Sequence, residues 1–178
     1  MQTAREQWDI YDANRLPTGR IATRGERLGE EEYHIIVHVC VFHPEDGRLL
    51  IQQRQPFKKG WSNLWDVTAG GSALAGETSA EAAERELAEE VGVHLPLSAA
   101  RPTLTIHYED GFDDYYLTEA APEPEHLVLQ EEEVQAVRWA DLDEVLALIR
   151  EGRFIPLKES FVRLLFALHE EPTIFHRP

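Results

Sequence analysis

The most constraining feature of this sequence is one amphipathic helix whose start and end are both marked by its own residues. Thr78 followed by Glu81 has the pattern of a capping box, in which each side chain satisfies a backbone N–H at the helix start. Gly92 supplies the left-handed residue that commonly ends a helix. Between them an apolar stripe repeats at three- and four-residue spacing, at Ala80, Ala83, Leu87 and Val91. We therefore expect a helix over residues 78–92 that packs on a sheet.

Eight segments around this helix carry the apolar and aromatic patterns of β-strands. They are residues 7–11, 20–23, 33–42, 48–54, 64–68, 103–108, 115–118 and 133–139. We expect turns at 17–19 and 44–47, a tight turn at Gly70-Gly71, and two closing helices at 142–150 and 157–168. Strands that alternate with helices predict an α/β fold in which a mixed sheet is sandwiched between helices. The chain, 1–178, is expected to form one domain, with residues 1–32 as an N-terminal extension packing on it.

The composition restricts the class of partner. A formal net charge of −16 opposes general binding to nucleic-acid polymers and to anionic membranes. No apolar run approaches the roughly 18–20 residues that span a bilayer. The polar start, residues 1–9, lacks the plan of a signal peptide, so we expect a cytoplasmic protein. The one cysteine, Cys40, lies in an apolar run and is expected to be a small buried side chain.

Three glutamates form a second face of the helix, beside the apolar stripe. Glu86, Glu89 and Glu90 follow i, i+3, i+4 spacing, so their side chains converge on one patch. Taken alone, the patch is typical of a solvated acidic face in a protein rich in glutamate. Clustered carboxylates are also hard oxygen ligands suited to Mg²⁺ or Mn²⁺, and a divalent ion removes their mutual repulsion. The glycine pair before the helix lets the backbone approach a ligand closely.

The stretch from Gly71 to Val93, GSALAGETSAEAAERELAEEVGV, resembles the Nudix box. That motif is Gly, five residues, Glu, seven residues, then Arg-Glu-apolar-x-Glu-Glu-x-Gly-apolar. Every constrained position is filled, by Gly71, Glu77, Arg85, Glu86, Leu87, Glu89, Glu90, Gly92 and Val93. With average residue usage, chance agreement at one start point is below about one in ten million. The resemblance implies a single Nudix domain and a metal-dependent hydrolase. Its substrate would be a small organic pyrophosphate, such as a nucleoside di- or triphosphate or a nucleotide derivative, cut at the diphosphate linkage.

The resemblance also implies which residues do the chemistry. Glu86, Glu89 and Glu90 would hold the cation, Mg²⁺ or Mn²⁺, with the Gly70 carbonyl as a further ligand. Either Glu86 or Glu89, or a carboxylate from another loop, would deprotonate the attacking water, and these assignments stay open. The remaining motif positions are structural: Arg85 and Glu77 would pair to fix the loop–helix geometry, and Gly71 and Gly92 would shape the backbone.

An additional metal ligand from outside the box is usual in the family. Asp113 and Asp114 follow one acidic turn, and Glu131, Glu132 and Glu133 precede the strand expected at 133–139. The candidate extra ligands are Asp114 from the first group and Glu132 from the second. The alternative for each residue is a solvated acidic turn.

The loop RQPFKKGWSNLWD, residues 54–66, is the best candidate for reading the substrate. Its cationic residues, Arg54, Lys58 and Lys59, would balance phosphate charge. Phe57 or Trp61 would stack on a base or cover an apolar group. The alternative is a solvated lysine pair, and Trp65 in the next segment is expected in the core.

Three stretches, EQWDIYDANRLPTGR, YHIIVHVCVF and LWDVTAGG, are similar to the isopentenyl-diphosphate-isomerase-like branch of the Nudix superfamily. An isomerase is therefore the first rival function. Those isomerases use a cysteine on the strand that runs into the box region, whereas here that stretch, residues 66–70, has no thiol and Cys40 lies on an earlier strand. Their box is also degraded, whereas this one is complete, so a hydrolase is favoured.

A second rival is a non-catalytic Nudix module that senses a nucleotide or binds a partner. Such modules usually lack the metal-binding glutamates, which this chain retains. The expected partners are thus a small pyrophosphate substrate and, by analogy, a second copy of the chain in a homodimer.

Overall fold

A computed structural model describes residues 5–173 of the chain, with two sheets and three α-helices. The strands are β1 (Gln7–Tyr11), β2 (Pro17–Thr23), β3 (His34–Phe42), β4 (Leu49–Arg54), β5 (Trp65–Asp66), β6 (Ala69–Ser72), β7 (Leu104–Tyr108), β8 (Gly111–Glu119) and β9 (Val134–Ala140). The helices are α1 (Ser79–Val91), α2 (Leu142–Arg150) and α3 (Glu159–Glu170). Strands β1 and β2 form a separate hairpin, and β3 to β9 form one mixed sheet.

The central strand β3 separates two apolar layers, because alternate side chains of a strand face opposite sides of its sheet. Val37, Val39 and Val41 pack with the apolar stripe of α1 on one face. Cys40 and Phe42 pack with buried residues of α2 and α3 on the other. The prediction of a mixed sheet between helices is confirmed. Cys40 is fully buried, as expected, and Trp65 belongs to the core.

The sheet opens into a V between β3 and β4, and this opening positions the site. The two strands meet at the pair Phe42–Leu49. The segment 65–72 then enters along β4, where Trp65 and Asp66 pair with it, and leaves along β3 as β6. At the apex, the Thr68 hydroxyl donates to the Leu50 carbonyl, 2.5 Å, and accepts from the Val41 N–H, 2.9 Å. One arm of the V is therefore β3 with β6, and the other is β4 with β5 and β9.

The hairpin β1–β2 rests on the first of these arms. The Ala75 N–H donates to the Gln7 carbonyl, 2.8 Å, and the Gly76 N–H donates to the Asp9 carboxylate, 2.7 Å. Both acceptors lie on β1, and both donors lie in the loop before α1. The hairpin is thus seated on the loop that leads into the helix.

Several predicted boundaries differ from the observed ones. Residues 17–19 belong to β2, and the turn lies at 12–16, where the Asp12 side chain accepts from the N–H groups of Asn14 and Leu16 and so stabilises a turn locally. Gly70-Gly71 is part of β6 and not a turn, because both residues pair with β3. Strand β8 begins at Gly111, earlier than expected, since its parallel pairing with β3 runs from His34 onward. No helix in the described residues is long and apolar enough to cross a membrane.

Candidate active site

Helix α1 begins and ends as its sequence predicts. Thr78 and Glu81 form the capping box, and Gly92 adopts the left-handed conformation with φ 70°. The residues of the apolar stripe, Ala80, Ala83, Leu87 and Val91, are all buried against the sheet. The carboxylates of the second helix face are thereby held at the opening of the V.

Glu90 lies deepest in the site, with 4% of its surface exposed. Its Oε2 accepts from Gln52 Nε2 at 2.8 Å and from the Gly70 N–H at 3.0 Å. Gln52 lies on β4 and Gly70 on β6, so this single oxygen joins the two arms of the V. Burial raises the pKa of Glu90 to about 8, with a further contribution from the nearby charge of Glu86.

Glu86 lies beside Glu90, against the backbone of β6. A side-chain methyl at Gly71 would overlap the Glu86 carboxylate, so the absence of a side chain at Gly71 lets this carboxylate approach the backbone of β6. Burial also raises the pKa of Glu86, while the adjacent Arg85 lowers it. The third carboxylate, Glu89, is 54% exposed and lies at the rim of the site. The structure therefore brings Glu86 and Glu90 together and leaves Glu89 in contact with solvent.

Arg85 organises the loop before the helix. Its Nε and Nη2 donate to the two oxygens of Glu77, at 2.7 and 3.0 Å, and Nη2 also donates to the Ser72 carbonyl at 3.1 Å. Its Nη1 donates to Glu86 at 2.8 Å and to Glu89 at 3.2 Å. One guanidinium thus connects the loop to two of the three box carboxylates.

The arrangement of donors suits a divalent cation. Glu86 and Glu90 present hard oxygen ligands in a partly desolvated site, where burial raises both pKa values and a cation would stabilise the charged carboxylates. Between residues 5 and 173, no three His, Cys, Asp or Glu side chains are already gathered as a complete ligand set. Arg85 holds Glu89 at the rim of the site.

A cavity of about 360 Å³ opens between the arms of the V, beside these carboxylates. Of the residues predicted to read the substrate, Arg54, Lys58 and Trp61 line it, whereas Phe57 and Lys59 are exposed and lie outside its lining. Arg54 Nη1 lies 3.5 Å from Asp66, and Lys58 is paired with Glu133. The cationic side chains in the cavity are therefore already engaged by carboxylates.

The two candidates for an extra metal ligand are placed away from the cavity. Asp114 is fully buried, and its carboxylate accepts from Arg15, Ser79 and Thr105. This network connects the turn between β1 and β2 to β7, β8 and the start of α1. Glu132 is exposed and does not line the cavity, but its neighbour Glu133 does.

Sequence reasoning missed several residues of the cavity, among them His38, Asp66 and the ion pair Glu6–Arg24. His38 Nε2 lies 3.4 Å from Asp113 Oδ1, and burial raises the pKa of Asp66. A signal for His38 existed in the alternation of β3, where a polar side chain interrupts an otherwise apolar strand. Glu6 and Arg24 gave no such signal, because the folding of the hairpin alone brings them to the cavity.

The family model of the NUDIX domain matches residues 32–164. A Nudix hydrolase of Listeria monocytogenes is 46% identical over 169 residues, which cover 95% of this chain and 98% of that protein. An isopentenyl-diphosphate Delta-isomerase of Halorhodospira halophila is 38% identical over 96 residues, 48% of this chain and 54% of the isomerase. The similarity to isomerases is thus distant and partial, whereas the similarity to the hydrolase spans almost the whole chain.

Solved structures share the fold. DR0079 from Deinococcus radiodurans superimposes with a TM-score of 0.71 at 22% identity, covering 90% of this chain and 97% of that one. A bifunctional NMN adenylyltransferase/ADP ribose pyrophosphatase from Francisella tularensis, solved with AMP and a Mn ion, has a TM-score of 0.56 at 20% identity. The second comparison covers 78% of this chain and 42% of that chain. At these sequence identities, the similarity shows that the fold is shared and shows nothing further.

Proposed function

The chain belongs to the Nudix family, and from this premise we propose that it is a Mg²⁺- or Mn²⁺-dependent hydrolase of nucleoside diphosphate derivatives. The observation that carries the proposal is the position of Glu90. A buried carboxylate, bonded to both arms of the V, lies beside a second carboxylate in a cavity whose lining also includes Arg54, Lys58 and Trp61. Such a site combines ligands for a cation with groups that complement a phosphate.

We assign the holding of the cation to Glu86 and Glu90, with the Gly70 carbonyl as a further candidate ligand. A bound divalent ion would neutralise charge on the diphosphate and lower the pKa of a water ligand. Glu89 is the candidate to accept the proton from the attacking water, because it is the solvent-facing carboxylate of the three. Arg85 positions both Glu86 and Glu89 and fixes them relative to the box loop.

The proposed roles of Glu86 and Glu89 are separable by experiment. Glu86→Gln should weaken Mn²⁺ binding, measured by electron paramagnetic resonance or calorimetry. Glu89→Gln should leave Mn²⁺ affinity within about threefold while kcat falls by a hundredfold or more, the usual contribution of general-base catalysis. A loss of Mn²⁺ affinity in Glu89→Gln, with no loss in Glu86→Gln, would exchange the two assignments.

We assign the binding of the substrate's planar group to Trp61. This side chain lines the cavity and is 53% exposed. The backbone of Trp61 has φ 51°, a left-handed conformation that costs energy for a bulky residue and is enriched at functional sites. The loop holds this conformation through side-chain bonds: Arg54 Nε donates to the Gly60 carbonyl, 3.2 Å, and Gln135 donates to Asn63, 2.7 Å. A rigid, exposed indole suits stacking on a nucleotide base.

The test of the proposed function is phosphate release from a panel of nucleotides, with Mg²⁺, with Mn²⁺ and with a chelator. We expect metal-dependent release from at least one nucleoside di- or triphosphate or nucleotide derivative, and its loss in Glu90→Gln. Glu45→Gln removes the same charge from an exposed turn and serves as the matched control. Full activity in Glu90→Gln would refute the metal-site assignment.

The same panel should include isopentenyl diphosphate, because of the distant similarity to isomerases. The single thiol offers no support for that reaction. Cys40 is fully buried on β3, and burial raises its pKa well above the usual range. We therefore expect no isomerisation.

A further inference from the structure

The hairpin β1–β2 supplies an ion pair to the cavity from outside the segment that the family model matches. Glu6 and Arg24 flank the hairpin, on either side of the pair Gln7–Thr23, and both line the cavity. Arg24 Nη1 donates to Glu6 Oε1 at 2.7 Å. The matched segment begins only at residue 32, so these two side chains are an addition to the family's common site.

Four arginine and lysine side chains line the cavity: Arg24, Arg54, Lys58 and Arg85. They differ in how firmly their partners hold them. Arg54, Lys58 and Arg85 keep between 18% and 21% of their side chains exposed. Arg85 is held most strongly, by two oxygens of Glu77, by Glu86, by Glu89 and by the Ser72 carbonyl. Redirecting these cations to a substrate would expose or unpair partly buried carboxylates.

Arg24 differs from the other three because its side chain is 60% exposed. Its side-chain partner is Glu6, which is itself 40% exposed. Exposed ion pairs contribute little to stability, so this pair opens at small cost. Among the cavity's arginine and lysine side chains, Arg24 is therefore the one most readily redirected to an incoming anion.

The position of Arg24 indicates which end of a bound substrate would lie near it. Ser72 pairs with Ile36 at the outer end of the β3–β6 arm, beside which the hairpin is seated. Trp61 belongs to the loop that follows β4, on the other arm. The hairpin and the loop are therefore opposite walls, with Glu86 and Glu90 between them. A substrate with its base on Trp61 and its diphosphate at the carboxylates would extend its far end toward Arg24.

We propose that Arg24 is a substrate-binding residue that exchanges Glu6 for the terminal phosphate of the substrate. The inference rests on the proposed function and narrows it. The enzyme then prefers a nucleotide with a free terminal phosphate, such as a nucleoside di- or triphosphate, to one whose diphosphate ends in a neutral sugar. Arginine suits this role because its planar guanidinium binds phosphate through two parallel hydrogen bonds.

The experiment compares Arg24→Gln and Glu6→Gln with the wild type in the presence of Mg²⁺. Steady-state kinetics are measured for ADP, ATP and ADP-ribose, and the binding of methylenediphosphonate, a diphosphate that is not hydrolysed, is measured by calorimetry. The control pair is Arg150→Gln and Glu159→Gln, an exposed ion pair between α2 and α3, remote from the cavity lining. Thermal unfolding of each variant verifies that the hairpin still folds.

We expect Arg24→Gln to lower kcat/KM for ADP or ATP by about ten- to a hundredfold, mainly through KM, as fits the loss of a charged hydrogen bond. ADP-ribose should change by less than about threefold. Glu6→Gln should tighten binding of methylenediphosphonate, because it frees Arg24, and Arg24→Lys should recover part of the loss. Equal losses for all three nucleotides, or unchanged methylenediphosphonate binding in both variants, would overturn the proposal. Absence of hydrolysis in the wild type would instead refute the proposed function, while the binding measurements would still decide the role of Arg24.

Discussion

Glu90→Gln removes one negative charge from the deepest carboxylate of the site while keeping the shape of the side chain. Both hydrogen bonds to Glu90, from Gln52 and from the Gly70 N–H, end on the same oxygen, Oε2. The amide oxygen of a glutamine can accept both, which leaves its NH₂ group directed toward the Glu86 side of the cavity. The substitution therefore deletes the charge and preserves the bridge between the arms of the V.

The expected change in stability follows from the pKa of Glu90. Its ordinary value is 4.5, and burial raises it to about 8 in the folded protein. A raised pKa in the folded state means that stability is complete below pH 4.5 and is lost as the pH rises through 8. At pH 7 the unfolded chain ionises this group freely, whereas the folded protein without metal keeps it mostly protonated, at a cost of about 3 kcal/mol.

The metal-free Glu90→Gln protein should accordingly be more stable than the wild type by about 2–4 kcal/mol at pH 7. The difference should shrink toward zero near pH 5 and grow toward pH 8.5. Urea unfolding in the presence of a chelator, across this pH range, measures it, and Glu45→Gln controls for the loss of one exposed charge. Addition of Mg²⁺ should stabilise the wild type more than Glu90→Gln, since the variant lacks one of the two carboxylates proposed to hold the ion.

Two results would refute this reasoning. A stability difference that does not depend on pH would show that the Glu90 carboxylate is not desolvated as its burial implies. A Glu90→Gln protein that is less stable than the wild type at every pH would show that the charge itself strengthens the bridge to Gln52 and Gly70.

Substitutions at three further positions test other parts of the structure. Gly71→Ala should abolish most turnover with little change in urea unfolding, because the methyl group displaces the Glu86 carboxylate, whose flexible side chain can move aside; wild-type kcat/KM would contradict the close approach. Trp61→Ala should raise KM for a nucleotide substrate about tenfold or more with little change in kcat, and Trp61→Phe should retain most of the affinity; equal KM values in both variants would exclude stacking. Asp114→Asn should lower the free energy of unfolding by about 3 kcal/mol, because it leaves Arg15 without its buried partner, while Mn²⁺ affinity stays unchanged; a selective loss of Mn²⁺ affinity would restore Asp114 as a metal ligand.

The ends and faces of helix α1 were predictable because local interactions determine them. The capping box of α1 and the left-handed Gly92 act over three or four residues, so their pattern is present in the sequence itself. The apolar stripe and the close spacing of Glu86 and Glu90 follow from the helical repeat in the same way. The pairing of Arg85 with Glu77 was implied only by the resemblance to the Nudix box, and the structure places the two side chains in contact.

The environment of each charged group depended on the tertiary structure. Glu89 and Glu90 are neighbours with the same side chain, yet one is half exposed and the other is buried between β4 and β6. The spacing of the glutamates was compatible with either environment, because burial depends on which strands pack over each helix position.

Contacts between distant segments decided the remaining features. Asp114 is bonded to Arg15, 99 positions away in the sequence, and it lies outside the cavity lining. Its acidic turn suggested a metal ligand because the sequence pattern around Asp114 gives no sign of this distant partner. Gly70 and Gly71 look like a turn in sequence, but pairing with β3 extends them. The helix, its caps and the spacing of its carboxylates were predictable from the sequence, since these depend on neighbours within one turn. That Glu6 and Arg24 share the cavity was visible only in the folded chain, because the hairpin must first form and pack on the loop before α1.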